Sequence, residues 1–164
     1  MKIFFLTLIL ILITSCATEP QKSSLLGTCL QTKGDAFIWS AYDNIYVGEL
    51  LLSQDEPNKL IRSSEPIGKI DAETTLQLVS VLSGSNGSYG DFLRARVRVL
   101  DGEHLGLIAD IPACVPYHPA LRWITSCSLD ANALTFNDQI LEVCNEFFPK
   151  ELGSKSEPKR IRKN

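Results

Sequence analysis

The chain has no apolar run of membrane-spanning length, no Cys-x-x-Cys pair, no Gly-x-Ser-x-Gly motif, and two histidines only, His104 and His118. Each absence excludes a class of activity. The apolar stretch Ile3 to Ile13 is eleven residues long with Thr7 as its one polar member, short of the ~20 residues a helix needs to cross a bilayer. With no Cys-x-x-Cys, and only His118 standing four residues after Cys114, there is no recognisable zinc set, so the expectation is no metal and no cofactor. With no nucleophile elbow, a Ser-His-Asp set can be drawn only by picking freely among many serines and aspartates. The two loop histidines therefore read as ordinary exposed residues, and the chain as a non-enzyme. Positive charge is also scarce in the body: residues 27–149 carry eight Lys/Arg against sixteen Asp/Glu, a net of −8. No basic face is large enough to neutralise many phosphates, which excludes nucleic acid as a general partner.

The residues that are present begin with an export signal. Lys2 is a minimal positive segment ahead of the apolar run, and no Ala-x-Ala-like cleavage site follows near residue 18. Instead the run ends in Ile13-Thr14-Ser15-Cys16. A branched aliphatic, two small residues and a cysteine resemble the bacterial lipobox. That resemblance implies a thioether-linked diacylglycerol on the Cys16 sulfur, cleavage before Cys16, and a third, palmitate-type chain on the new amino group. At about 0.8 kcal/mol per buried methylene, three chains hold far more firmly than the marginal single one. Ala17 in place of an acidic residue after the cysteine implies sorting to the outer membrane, at its periplasmic face, with surface exposure left open.

Removing residues 1–15 leaves one domain's length of chain. Residues 16–26, with Pro20, Gln21, Lys22, Ser23 and Ser24, read as a lipidated tether, residues 27–149 as a single body, and residues 150–164 as a basic, disordered tail of net +4. With Cys16 assigned to lipid, Cys29, Cys114, Cys127 and Cys144 form an even set in an oxidising compartment, and two disulfides are expected. Of the three pairings, Cys29–Cys114 with Cys127–Cys144 follows if cysteines join in order of appearance.

The body reads as mostly β. Residues 28–33 and 36–40 are β-prone runs around Gly34-Asp35, a hairpin turn, and residues 44–53 read as a third strand with Gly48 as a bulge. Residues 75–82 form another, residues 84–90 a glycine, serine and asparagine loop, and residues 93–99 alternate strictly. Leu93, Ala95, Val97 and Val99 take one face; Arg94, Arg96 and Arg98 take the other. Asp101-Gly102 then turns the chain into residues 105–109, completing an antiparallel meander. After the proline-rich stretch from Pro112 to Pro119, residues 121–125 read as a short strand carrying Trp123. Asn137 reads as the N-cap of a helix over residues 138–148, where Ile140, Val143, Cys144 and Phe147 recur at helical spacing before Pro149.

Gly68-Lys69-Ile70, the run at residues 74–81, and Asp101-Gly102 followed by Gly106-Leu107-Ile108 resemble the strands and tight turn of a bacterial SH3-like domain over residues 66–112. The resemblance implies a small β-barrel. Leu107 stands where the family has tryptophan, and Tyr89 or Phe92 would be its remaining groove aromatic. No Cys-His peptidase domain of the kind that accompanies such modules is present.

Three features are candidates for function. Arg94, Arg96 and Arg98 on one strand face could grip carboxylates or phosphates in bidentate fashion, or could simply form a solvated face paired with cross-strand acids. Tyr89, in a glycine-rich loop, reads as exposed, whereas Trp39 and Trp123 read as core. Lys155, Lys159, Arg160, Arg162 and Lys163 in the tail could touch anionic headgroups, or remain solvated. The expected function is that of a membrane-anchored envelope lipoprotein serving as a periplasmic binding or scaffold module, with peptidoglycan or an envelope protein as partner. The alternative is a small inhibitor of an envelope hydrolase.

Overall fold

Strict alternation along residues 93–99 builds the centre of a mixed nine-stranded sheet. A computed structural model describes residues 18–40, 49–55, 66–115 and 122–144. The strands are β1 (Glu19–Gln21), β2 (Cys29–Thr32), β3 (Ala36–Trp39), β4 (Leu51–Ser53), β5 (Gly68–Ile70), β6 (Thr75–Asn86), β7 (Gly90–Val99), β8 (Ile108–Ile111) and β9 (Leu141–Val143). Their order is β5-β3-β4-β8-β7-β6-β2-β9, with β1 alongside β6. All neighbours run antiparallel except β4 and β8, which meet in parallel at Leu51 and Asp110. The meander expected of residues 75–109 is therefore present as β6-β7-β8, which ends at Ile111.

β6 runs longer than the sequence suggested, through Gly84, Ser85 and Asn86, because Gly84 faces Phe92 across the hairpin. The Phe92 ring lies where a side chain at 84 would be, 2.8 Å from an ideal Cβ, so the glycine leaves room for the aromatic. A three-residue turn, Gly87 to Tyr89, closes on Gly90 at φ 74°, the left-handed position that such hairpins need. A bulge between Leu78 and Ser80 changes the spacing, so that Leu76, Leu78 and Val81 all point into the core. The same long strand thus serves β2 along Thr75–Gln77 and β1 along Val81–Ser83.

One face of the sheet encloses the main core. Leu30, Ile38, Leu52, Ile70, Leu78, Val97 and Ile111 come from seven strands, and Trp123, Ile124, Leu134 and Ile140 from residues 122–144 pack onto them. Trp123 and Trp39 are fully buried, as core aromatics should be. Trp39 belongs to a second, smaller cluster with Leu51, Phe92, Ala113 and Val115. The meander is thus covered on both sides at the β6–β7 end.

Several expectations give way. The Gly34-Asp35 hairpin does not form: neither residue has a positive φ, and β2 pairs with β6 and β9 while β3 pairs with β4 and β5. Lys33 N–H donates to Ile140 O at 2.7 Å, and the Asp35 carboxylate accepts from Ala72 N–H at 2.9 Å, so the corner carries the chain from one part of the sheet to another. The sheet does not close into a barrel, and β5 joins β3, not β6. Of the expected small barrel, the described residues thus show an antiparallel meander within an open mixed sheet.

The C-terminal helix is replaced over its described part. Asn137 does cap one turn, accepting from Gln139 N–H at 3.0 Å, but residues 141–143 then extend as β9 because the edge of β2 offers backbone partners. That pairing also decides the disulfides, which are Cys29–Cys144 and Cys114–Cys127, not the sequential pairing. β9 brings Cys144 N–H to 3.1 Å from Cys29 O, with the two Cα atoms 5.3 Å apart, within bridging distance. Of the strand expected over residues 121–125, the described residues 122–125 show an isolated bridge, Ile124 to Phe136. β8 begins at Ile108, since Glu103 to Gly106 form a turn. The stretch read as tether supplies β1, and Ser23 donates to Ala131 O at 2.6 Å. Cys16, the signal, Gly48, His118 and the basic tail lie outside the described residues.

Candidate functional site

The three arginines of β7 share a face but not a fate. Arg96 stands directly opposite Asp110 on β8, and Arg98 opposite Ile108. Arg96 Nε donates to Asp110 Oδ1 at 2.9 Å, and its Nη2 lies 2.8 Å from Glu49 Oε1. From one position further along, Arg94 Nε donates to Asp110 Oδ2 at 2.8 Å and its Nη2 pairs with the same oxygen. Two guanidinium groups and two carboxylates form a chain of no net charge. Arg94 and Asp110 are buried, and Arg96 is half-buried. Burial pulls the Arg96 pKa down, but hydrogen bonds and attraction from Asp110 and Glu49 outweigh it and hold the value above that of an ordinary arginine.

This row is therefore neither the open anion grip nor the solvated face that alternation alone allows. The second cluster, Trp39, Leu51 and Phe92 with Ala113 and Val115, occupies the same end of the face and excludes water from Arg94. Only Arg98, at the far end of the row, is exposed. The sequence did carry a signal: Asp110 sits alone in the apolar run Leu107 to Pro112, where a carboxylate needs a partner.

Tyr89 is half-buried, packed on the second cluster, and not free in its loop. The hairpin turn carries it back over that cluster, a placement that depends on the Gly90 conformation. Beside the hairpin, a shallow cavity of about 300 Å³ is lined by Glu19, Gln21, Ser83, Asp91, Phe92 and Leu129 among others. It exists because β1 pairs with β6, which sequence reasoning missed by treating residues 16–26 as a tether. Its wall sets the acidic Glu19 and Asp91 beside the apolar Phe92 and Leu129, the latter 58% exposed.

At the opposite end of the meander, His104 lies half-buried against Gly68, its ring 3.2 Å from where a Cβ on that glycine would be. Ile67 and Leu105, next to these two in the chain, are 60% and 68% exposed. Ile108 is exposed beside Arg98. Arg98 and Ile108 thus set an exposed cationic and an exposed apolar side chain side by side across β7 and β8. Among the described residues no group of three or more His, Cys, Asp or Glu is arranged to hold a metal ion. Comparison with protein-family models, curated proteins and solved structures finds no match to this chain.

Proposed function

We propose that the chain is a lipid-anchored envelope protein, held through Cys16 at the periplasmic face of an outer membrane, whose β domain is a binding or scaffold module and not an enzyme. The observation that carries this reading is the closure of the four body cysteines on one another. Of five cysteines only Cys16 is left over, directly behind an apolar export segment. Two disulfides suit an oxidising compartment. The binding surface in this reading is the meander end with Arg98, Ile108, Leu105 and Ile67, and an SH3-like ancestry would account for the β6-β7-β8 order. Peptidoglycan carboxylates are the partner chemistry that Arg98 suits best.

The test is intact mass of protein extracted from native membranes, with thiols alkylated before and after reduction, followed by retention on purified cell wall. Loss of residues 1–15, added acyl chains, four thiols reactive only after reduction, and retention on cell wall are the expected results. A full-length mass without lipid would sink the anchor. Thiols free from the start would sink the compartment, and capture of a hydrolase without cell-wall retention would replace the scaffold with the inhibitor.

A further inference from the structure

Three residues of chain lead from Cys16 to Glu19, the first residue of β1. β1 runs antiparallel to β6, with Glu19 opposite Ser83 and Gln21 opposite Val81, so the chain ahead of β1 departs toward the β6–β7 hairpin end of the sheet. At a maximum of about 3.6 Å per residue, the Cys16 Cα lies within roughly 11 Å of that of Glu19. Asn86, where the hairpin turn begins, is three residues beyond Ser83 on β6, about 10 Å along the strand. The two spans are alike, so a chain that keeps the direction of β1 reaches the level of the hairpin turn at its acyl attachment point.

We infer that the hairpin end of the domain, the turn Gly87 to Tyr89 with Glu19, Asp91 and Leu129, rests on the bilayer that holds the Cys16 acyl chains. This inference rests on the lipoprotein reading. The occupant of that face is a membrane surface rich in zwitterionic lipid with ammonium headgroups. Glu19 and Asp91 are exposed there, and residues 79–93 contain no Lys or Arg, which disfavours an anionic surface. Leu129, exposed beside them, supplies an apolar contact at the level of the headgroups. The inference also orients the molecule. Ten residues of β7 separate the hairpin turn from the loop that starts at Asp101, roughly 30 Å. Arg98, His104 and Leu105 then point away from the membrane. A short connection of this kind fixes orientation, where a long flexible tether would let the domain tumble.

Depth-dependent quenching by brominated phospholipids tests the inference on the mature acylated protein in vesicles of phosphatidylethanolamine and phosphatidylcholine. Trp39 and Trp123 are both fully buried and present in both variants, so the wild-type signal subtracts from each. Ser88→Trp at the hairpin should be quenched several-fold more strongly than Glu103→Trp in the opposite loop. Inserting ten Gly/Ser residues between Ala17 and Thr18 should bring the Ser88→Trp signal down to the Glu103→Trp level while the acylated mass is retained. Equal quenching of the two variants in acylated protein would overturn the orientation. Quenching of Ser88→Trp that survives the insertion would overturn the short connection as its cause. A mass without acyl chains would instead remove the lipoprotein reading, and the inference with it.

Discussion

Arg94 and Asp110 are ion-paired across β7 and β8 with their side chains almost wholly withdrawn from water, at 5% and 0% exposure. Asp110 is the strand partner of Leu51 and Arg94 lies two residues along β7 from Phe92, Leu51 and Phe92 both being members of the Trp39 cluster, and the second oxygen of Asp110 accepts from Arg96. Removing one partner strands a charge in a site closed to solvent, whereas removing both does not. Asp110→Asn should therefore cost about 3–5 kcal/mol of unfolding free energy. Replacing Arg94 and Asp110 together by Met and Leu should recover most of that loss. Urea midpoints for the two variants decide the matter, and a double variant as unstable as the single would refute this account of the pair.

The disulfides differ in the length of chain they enclose, 115 residues for Cys29–Cys144 against 13 for Cys114–Cys127. On the chain-entropy account the longer closure is worth about 5 kcal/mol and the shorter about 3 kcal/mol. Changing Cys29 and Cys144 to serine should lower the thermal midpoint further than changing Cys114 and Cys127. It should also free the β2–β9 edge to exchange its amide hydrogens.

Asp35 and Lys69 form an exposed ion pair at 2.6 Å. The hydrogen bond from Lys69 and that from Ala72 N–H hold the Asp35 carboxyl below its ordinary pKa, and the bond to Asp35 holds Lys69 above its own. A depressed carboxylate stabilises the fold above its unfolded pKa and loses that contribution as pH falls through its folded value. A raised lysine contributes fully below its unfolded pKa and loses it as pH rises through the folded one. The stability difference between the wild-type chain and Asp35→Asn should thus be greatest near neutral pH and shrink toward both extremes. A difference independent of pH, measured by urea titration, would refute both shifts, and one that shrinks only toward acid would leave the Ala72 hydrogen bond as the sole contributor.

Gly84 makes room for the Phe92 ring. Gly84→Ala should cost about 1–3 kcal/mol by forcing the ring off its site. Gly84→Ala combined with Phe92→Leu should cost less than the two changes added separately, a coupling that a double-mutant cycle reads directly.

Arg98 is the exposed member of its row. Arg98→Ala should leave the unfolding free energy within about 0.5 kcal/mol of wild type. The same change should weaken retention on purified peptidoglycan. Unaltered retention would take Arg98 out of the binding surface.

Much of the sheet was legible because alternation and turn residues act locally. Residues 93–99 announce β7 and its core face, and Asp101-Gly102 announces the turn beyond it. The apparent helix after Asn137 shows the limit. Its cap and spacing are genuine, yet an open edge on β2, more than a hundred residues earlier, draws residues 141–143 into the sheet. Gly34-Asp35 fails as a hairpin for a similar reason, since β2 and β3 each find other partners.

What the sequence determined by itself is therefore local and covalent: an apolar run ahead of Cys16, an even set of body cysteines, a β-rich body, and a strand with arginine on one face. Those properties depend on residue type and spacing over a few positions. The tertiary structure alone decided which cysteines meet, which arginines are buried, and that residues 19–21 join the sheet. Each of these depends on pairing between strands far apart in the chain, where backbone hydrogen bonds and enclosure by a second apolar cluster outweigh local preference.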